Sequence, residues 1–143
     1  MSAEQLLTQE FGTLADVIRE QARDLKDKPA LIDARRTITY AELDELMDRI
    51  AAALQRDGVG KAQVAAVCAT TSVEYGATFF GILRAGAVVA PLAPSSTPES
   101  LVMMLNDSGA KVFFLDAGVA KQLEGVADQI TAKRVALDGS DAG

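Results

Sequence analysis

Two hydrophobic rhythms divide the chain. Up to Leu54, apolar residues recur mainly every three or four positions; from Val64 onward, short continuous apolar runs take over. The segment "TLADVIREQARDL" sets Leu14, Val17, Ile18 and Leu25 close to helical spacing behind Thr13, a capping candidate. "DKPALIDARRTITY" follows with two β-like runs at residues 30–32 and 37–39. A polar turn holding Asp33 and two arginines joins them, which predicts a hairpin. Thr39, Tyr40, Ala41 and Glu42 match a capping box, in which threonine and glutamate each satisfy a free backbone N–H. The helix it opens carries Leu43, Leu46, Met47, Ile50 and Leu54 on one stripe and ends before Gly58 and Gly60.

Beyond that helix, β-like runs begin near Val64, Ala87, Val112 and Val135, at intervals of 23, 25 and 23 residues. Helices are predicted between them, opening at Thr71 (with Glu74 three later), at Thr97 (before Pro98 and Glu99) and, more weakly, near Gly118. Strands alternating with helices need crossovers, so the sheet is parallel and doubly wound. The stretch "GILRAGAVVAPLAP" shows the pattern in miniature. Arg84 closes a helix, Gly86 supplies the left-handed residue after it, residues 87–90 form a short buried strand, and Pro91 marks the strand's exit. The runs "VAAVC", "AVVA", "VFFL" and "RVAL" suit a sheet covered on both faces. Gly76 and Gly81 each cost a helix about 1 kcal/mol against alanine, and close helix-to-strand packing is the return expected for them. Neither GxGxxG after a strand nor GxxxxGK[ST] occurs, so the glycines make no phosphate loop.

Composition narrows the chemistry. With 143 residues, 49% hydrophobic, there is enough for one domain with its own core. A net charge of −6 opposes nucleic-acid binding. Histidine is absent, which removes Ser-His-Asp triads, Cys-His pairs and HExxH zinc sites. The one cysteine, Cys68, lies in the apolar run "QVAAVCA" and reads as a buried structural residue. The first residues carry no basic, apolar leader, and the reading is a cytoplasmic protein with no membrane span.

Ligands of open α/β sheets sit beyond the carboxyl ends of the strands. Two loops there carry hydroxyls. "ATTS" (residues 69–72) offers an anion site or simply a helix cap at Thr71, and "PLAPSSTPES" offers Ser95, Ser96 and Thr97, stiffened by prolines. Asp116 occupies a third such position. Asp44, Glu45 and Asp48 read as a solvated polar helix face. These residues assemble no catalytic machinery. They leave open a flavodoxin-like phosphate or nucleotide binder using "ATTSVE", and a non-enzymatic interaction module built on an exposed sheet edge.

Three motifs in order, "ITYAEL" (residues 38–43), "ILRAGAVVAPLAP" (82–94) and "MLNDSGAKVFFLDA" (104–117), resemble the N-terminal region of AMP-forming adenylate-forming enzymes. The resemblance runs from about Phe11 to about Leu137, and "AGAVVAPL" is more similar to acyl- and aryl-CoA synthetases than to peptide-synthetase domains, which usually carry a tyrosine after Ala-Gly. It implies part of a ligase that activates a fatty or aryl carboxylic acid with ATP and Mg²⁺ to an acyl-adenylate, then transfers the acyl group to CoA. Residues 1–143 would be an N-terminal subdomain fragment lacking the phosphate loop and the C-terminal domain with its catalytic lysine. The implied fragment is inactive alone, binds no cofactor tightly and self-associates through exposed surface. No catalytic residue carries over. Ser95, Ser96 and Lys121 are the positions the resemblance places near the CoA nucleotide.

Overall fold

A computed structural model describes residues 2–139. Local capping starts most of its helices. Ser2 and Gln5 exchange backbone bonds at 3.2 and 2.8 Å to open α1 (Ala3–Leu7), an element not expected from the sequence although Ser2-x-x-Gln5 is itself a capping box. Thr13 caps α2 (Leu14–Asp24). The hairpin forms as expected, β1 (Pro29–Ile32) pairing antiparallel with β2 (Thr37–Thr39) in a sheet of their own. Thr39 and Glu42 complete the reciprocal box that opens α3 (Tyr40–Arg56), whose Leu43, Met47 and Leu54 are buried.

The second half is the alternating unit: β3 (Val64–Cys68), α4 (Val73–Arg84), β4 (Val88–Pro91), α5 (Pro98–Ser108), β5 (Val112–Leu115), α6 (Ala117–Leu123), a 3-10 turn at Ala127–Gln129, and β6 (Lys133–Ala136). The strands pair in parallel in the order β4-β3-β5-β6. Phe113 and Leu115 of β5, with Ala66 and Cys68 of β3, pack under α5 and α6. Their alternating neighbours, Ala65, Val67, Val112 and Phe114, face Leu54 of α3 and Ile82 of α4. Helices therefore lie on both faces, as the apolar runs predict for β3 and β5.

The structure corrects four expectations. The crossover from β4 to β5 skips past β3, so β4 is an edge strand with Val88 48% exposed, and Pro91 is its last residue rather than the residue after it. The first helix of this unit, α4, starts one residue later than expected, with Ser72 rather than Thr71 as its cap. The last one opens on Asp116, whose carboxylate accepts from the Val119 amide. Asp44 and Asp48 are more than a solvated face: both pair with Arg84, whose side chain is only 6% exposed.

Gly86 adopts φ +75° after the Arg84 turn, as expected of the left-handed residue ending a helix. Of the two glycines inside α4, Gly76 meets a strand and Gly81 meets another helix. A Cβ on Gly76 would lie 2.9 Å from the Leu31 side-chain tip in β1; one on Gly81 would lie 2.7 Å from both Cβ and Cγ2 of Ile50 in α3. Because the Ile50 Cβ is fixed to the backbone, α3 and α4 must separate to admit a methyl at position 81. Gly81→Ala is therefore expected to destabilise by up to about 2 kcal/mol, overpacking of about 1–3 kcal/mol being offset by about 1 kcal/mol of helix propensity. Gly76→Ala, where the Leu31 tip can rotate aside, is expected to be near neutral. Urea unfolding of the two variants side by side checks the contrast.

Candidate functional site

The carboxyl ends of β3, β5 and β6 open into a cleft of about 320 Å³, closed on one side by the hairpin turn. Its wall is built from Ala69 to Ser72 after β3, Asp116 after β5, Leu137 and Asp138 after β6, and Asp33 to Arg35 of the turn. Ala69 is buried and Ser72 half-buried, whereas Thr70 and Thr71 are exposed.

Each carboxylate here has work inside the fold. One Asp33 oxygen accepts from the amides of Arg35 (2.8 Å) and Arg36 (2.9 Å), shaping the turn; the other accepts from the Val73 amide at 2.8 Å. Three N–H donors, Val73 first, favour the charged form and hold the Asp33 carboxyl at about 2. Glu74 takes Arg35 and Arg36 at 3.0 and 3.1 Å, a second tie between hairpin and α4. Asp116 accepts from Val119 at 2.9 Å and from Thr70, across the cleft, at 2.8 Å. Asp138 accepts from the Ala117 amide at 3.2 Å.

This arrangement bears on the "ATTS" loop. A helix N-terminus attracts anions through its free N–H groups, and in α4 the protein supplies its own: Asp33 takes the first amide and Ser72 Oγ takes the Tyr75 amide at 3.1 Å. No group of three or more residues suited to a metal exists among the described residues. Cys68 is buried beneath the cleft floor, where burial, with the Asp116 charge adding, pushes its thiol up to about 11, as a structural cysteine requires.

The sequence candidates Ser95, Ser96 and Lys121 lie outside this cleft, in the β4–α5 loop and on α6. Gln122 Nε2 donates to the Ser96 carbonyl at 2.6 Å and draws the loop onto α6, one residue from the exposed Lys121. Thr97 is spent as the α5 cap, accepting from Ser100 at 3.2 Å. Asp33 and Glu74, legible in the sequence only as a turn residue and a helix-start signal, act through partners about forty positions away.

The Asp33 latch has a pH signature. Its carboxyl titrates lower in the folded chain than in the unfolded one, so its contribution is complete above about pH 4 and disappears as pH falls towards 2. Asp33→Asn is expected to melt below the parent chain at pH 7. The gap should close as pH drops from 4 to 2, which thermal melts across that range measure.

A parallel sheet with helices on both faces and a hairpin latched to its first crossover helix defines the class; comparison with known proteins defines the family. The AMP-binding enzyme family matches residues 18–142, and the chain belongs to it. It is 32% identical over 128 residues to a long-chain-fatty-acid–CoA ligase of Escherichia coli O157:H7, covering 89% of this chain and 23% of that ligase. It is also 32% identical over 127 residues to bacitracin synthase 1 of Bacillus licheniformis, again 89% of this chain but 2% of the synthase. Among solved structures, VinN superposes with a TM-score of 0.79 at 26% identity, over 89% of this chain and 32% of VinN. The anthranilate CoA ligase AuaEII, solved with anthranoyl-AMP, shares the fold with a TM-score of 0.85 at 20% identity, over 97% of this chain and 27% of its own. The fold is that of the N-terminal region of adenylate-forming enzymes. The chain spans less than a quarter of the curated relatives named here. No helix among the described residues is long and apolar enough to cross a membrane.

Proposed function

We propose that residues 1–143 are the N-terminal subdomain of a longer ATP-dependent ligase. The whole enzyme joins a carboxylic acid to ATP as an acyl-adenylate, releasing pyrophosphate, and then passes the acyl group to the CoA thiol with release of AMP. The observation carrying this reading is the family match along residues 18–142, with a CoA ligase 32% identical over nearly all of this chain. Val88 and Val89 after Ala85-Gly86 favour the CoA-ligating branch over peptide synthetases. Mg²⁺ would arrive with ATP; the cleft's own carboxylates, Asp33, Glu74, Asp116 and Asp138, are already bonded to backbone amides or arginines. The phosphate loop and the catalytic lysine of such an enzyme belong to polypeptide outside this stretch.

The 143-residue chain alone is expected to show no acid-dependent ATP–pyrophosphate exchange, and the full-length parent to show it with fatty or aryl acids. Exchange by the short chain would overturn the reading. Within it, Ser95, Ser96 and Lys121 are the candidates to meet the CoA nucleotide, with Gln122 holding the loop against α6. In the parent, Lys121→Ala is expected to raise KM for CoA several-fold while leaving exchange, which needs no CoA, unchanged. A flavodoxin-like reading is not favoured, because Asp33 and Ser72 fill the α4 N-terminus.

A further inference from the structure

The two sides of β4 carry different backbone groups. Towards β3, the Val88 amide donates to the Gln63 carbonyl and the Leu92 amide to the Val67 carbonyl, both at 2.8 Å. Bonding direction alternates along a strand. Ala87, Val89 and Pro91 therefore present their backbone groups outwards, where no strand follows among the described residues. Such an edge is a template for another chain. The common deterrent, a charged side chain, is missing: residues 85–98 carry none, and Val88 is exposed.

Two of the three outward positions nevertheless cannot donate. The Ala87 amide is taken by the Ile82 carbonyl at 3.3 Å, in the closure of α4. Proline has no N–H at all. Val89 alone keeps an outward donor. A second copy pairing like edge to like edge across a two-fold axis would lay its β4 antiparallel to this one. Centred on Val89, the middle pair could exchange both its bonds, but position 87 would face position 91 on either side. The carbonyls meeting there would find no donor, and a carbonyl buried without one is costly. At the same time Pro91 costs the native sheet nothing, because its missing N–H points away from β3.

We propose that Pro91, with the Ala87–Ile82 bond, closes the β4 edge to strand addition, so that a second copy of this chain cannot extend the sheet there. The proposal is independent of the ligase reading, and it removes the β4 edge from the interaction module that the sequence left open.

Amide exchange in the unaltered chain tests it first. The Val89 amide is expected to exchange at least about tenfold faster than those of Val88 and Leu92, at a rate independent of protein concentration. Val89 exchange that slows as concentration rises overturns the proposal. A second test restores the donor through Pro91→Val, with Pro91→Ala reporting the same change if the valine variant does not fold. Val88→Cys, at an exposed position of β4, carries a nitroxide label in each background, Cys68 being buried. Dipolar broadening between labels is expected to grow with concentration once position 91 has an N–H, and to be absent with proline in place. The label reads the edge itself, so association through another surface does not imitate the signal. Broadening with Pro91 present, or none in the folded valine and alanine variants, overturns the proposal.

Discussion

Arg84→Met should destabilise the protein by about 3 kcal/mol, among the largest effects of any single surface-distant charge in this chain. Arg84 ends α4, yet its guanidinium turns inward to where three helices meet. It donates to the Ala15 carbonyl of α2 at 3.0 Å and to the Asp44 carbonyl of α3 at 2.9 Å, and pairs with the Asp44 and Asp48 carboxylates at 2.7 and 3.2 Å. Methionine keeps the apolar stem but strands two carbonyls and leaves the Asp44 carboxylate without its cation, while Asp48 keeps Arg19 at 3.4 Å. Breaking a fully buried pair costs about 3–5 kcal/mol. Asp44 is 25% exposed and Asp48 more so, which places the expected loss at the lower end of that range. Adding Asp44→Asn to Arg84→Met should recover about 1 kcal/mol by removing the stranded charge. A double-mutant cycle by urea unfolding measures this, and additive losses would show that the two residues do not act as a pair.

Arg84 also marks the boundary of what the sequence makes legible. Caps are local, so Thr13, Thr39 with Glu42, and Thr97 with Pro98 could be placed from neighbours alone, and each stands where the pattern puts it. The strand–helix alternation likewise implied parallel pairing. Nothing local tells whether a crossover passes over one neighbour, so β4 read as a buried strand although it lies at the edge. The same limit hid the arginine's burial, which requires Ala15 and Asp44, 69 and 40 positions away, to converge on it. At the cleft, Asp33 was recognisable as a turn former, but its third bond, to Val73, exists only once the hairpin lies against α4. The loops of the cleft were identified correctly as the ends of strands. Their carboxylates proved to be ties between those loops.

Phe113 and Phe114 are adjacent in β5 and are expected to respond very differently to alanine. Phe113 is fully buried between β5 and the α5–α6 layer, among Leu101, Leu105 and Leu123. Its truncation leaves an enclosed cavity and should cost about 3–5 kcal/mol, much of the stability of a domain this size. Phe113→Leu, expected to lose about 1–1.5 kcal/mol, reports the same site if the alanine variant does not fold. Phe114, on the opposite face, is 9% exposed and borders an open groove. Neighbours can relax into that space, so Phe114→Ala should cost only about 2 kcal/mol in the 143-residue chain. The asymmetry depends on the groove being open. Urea unfolding of the two alanine variants side by side measures the difference, and equal losses would show that the space beside Phe114 gives its neighbours no room to relax.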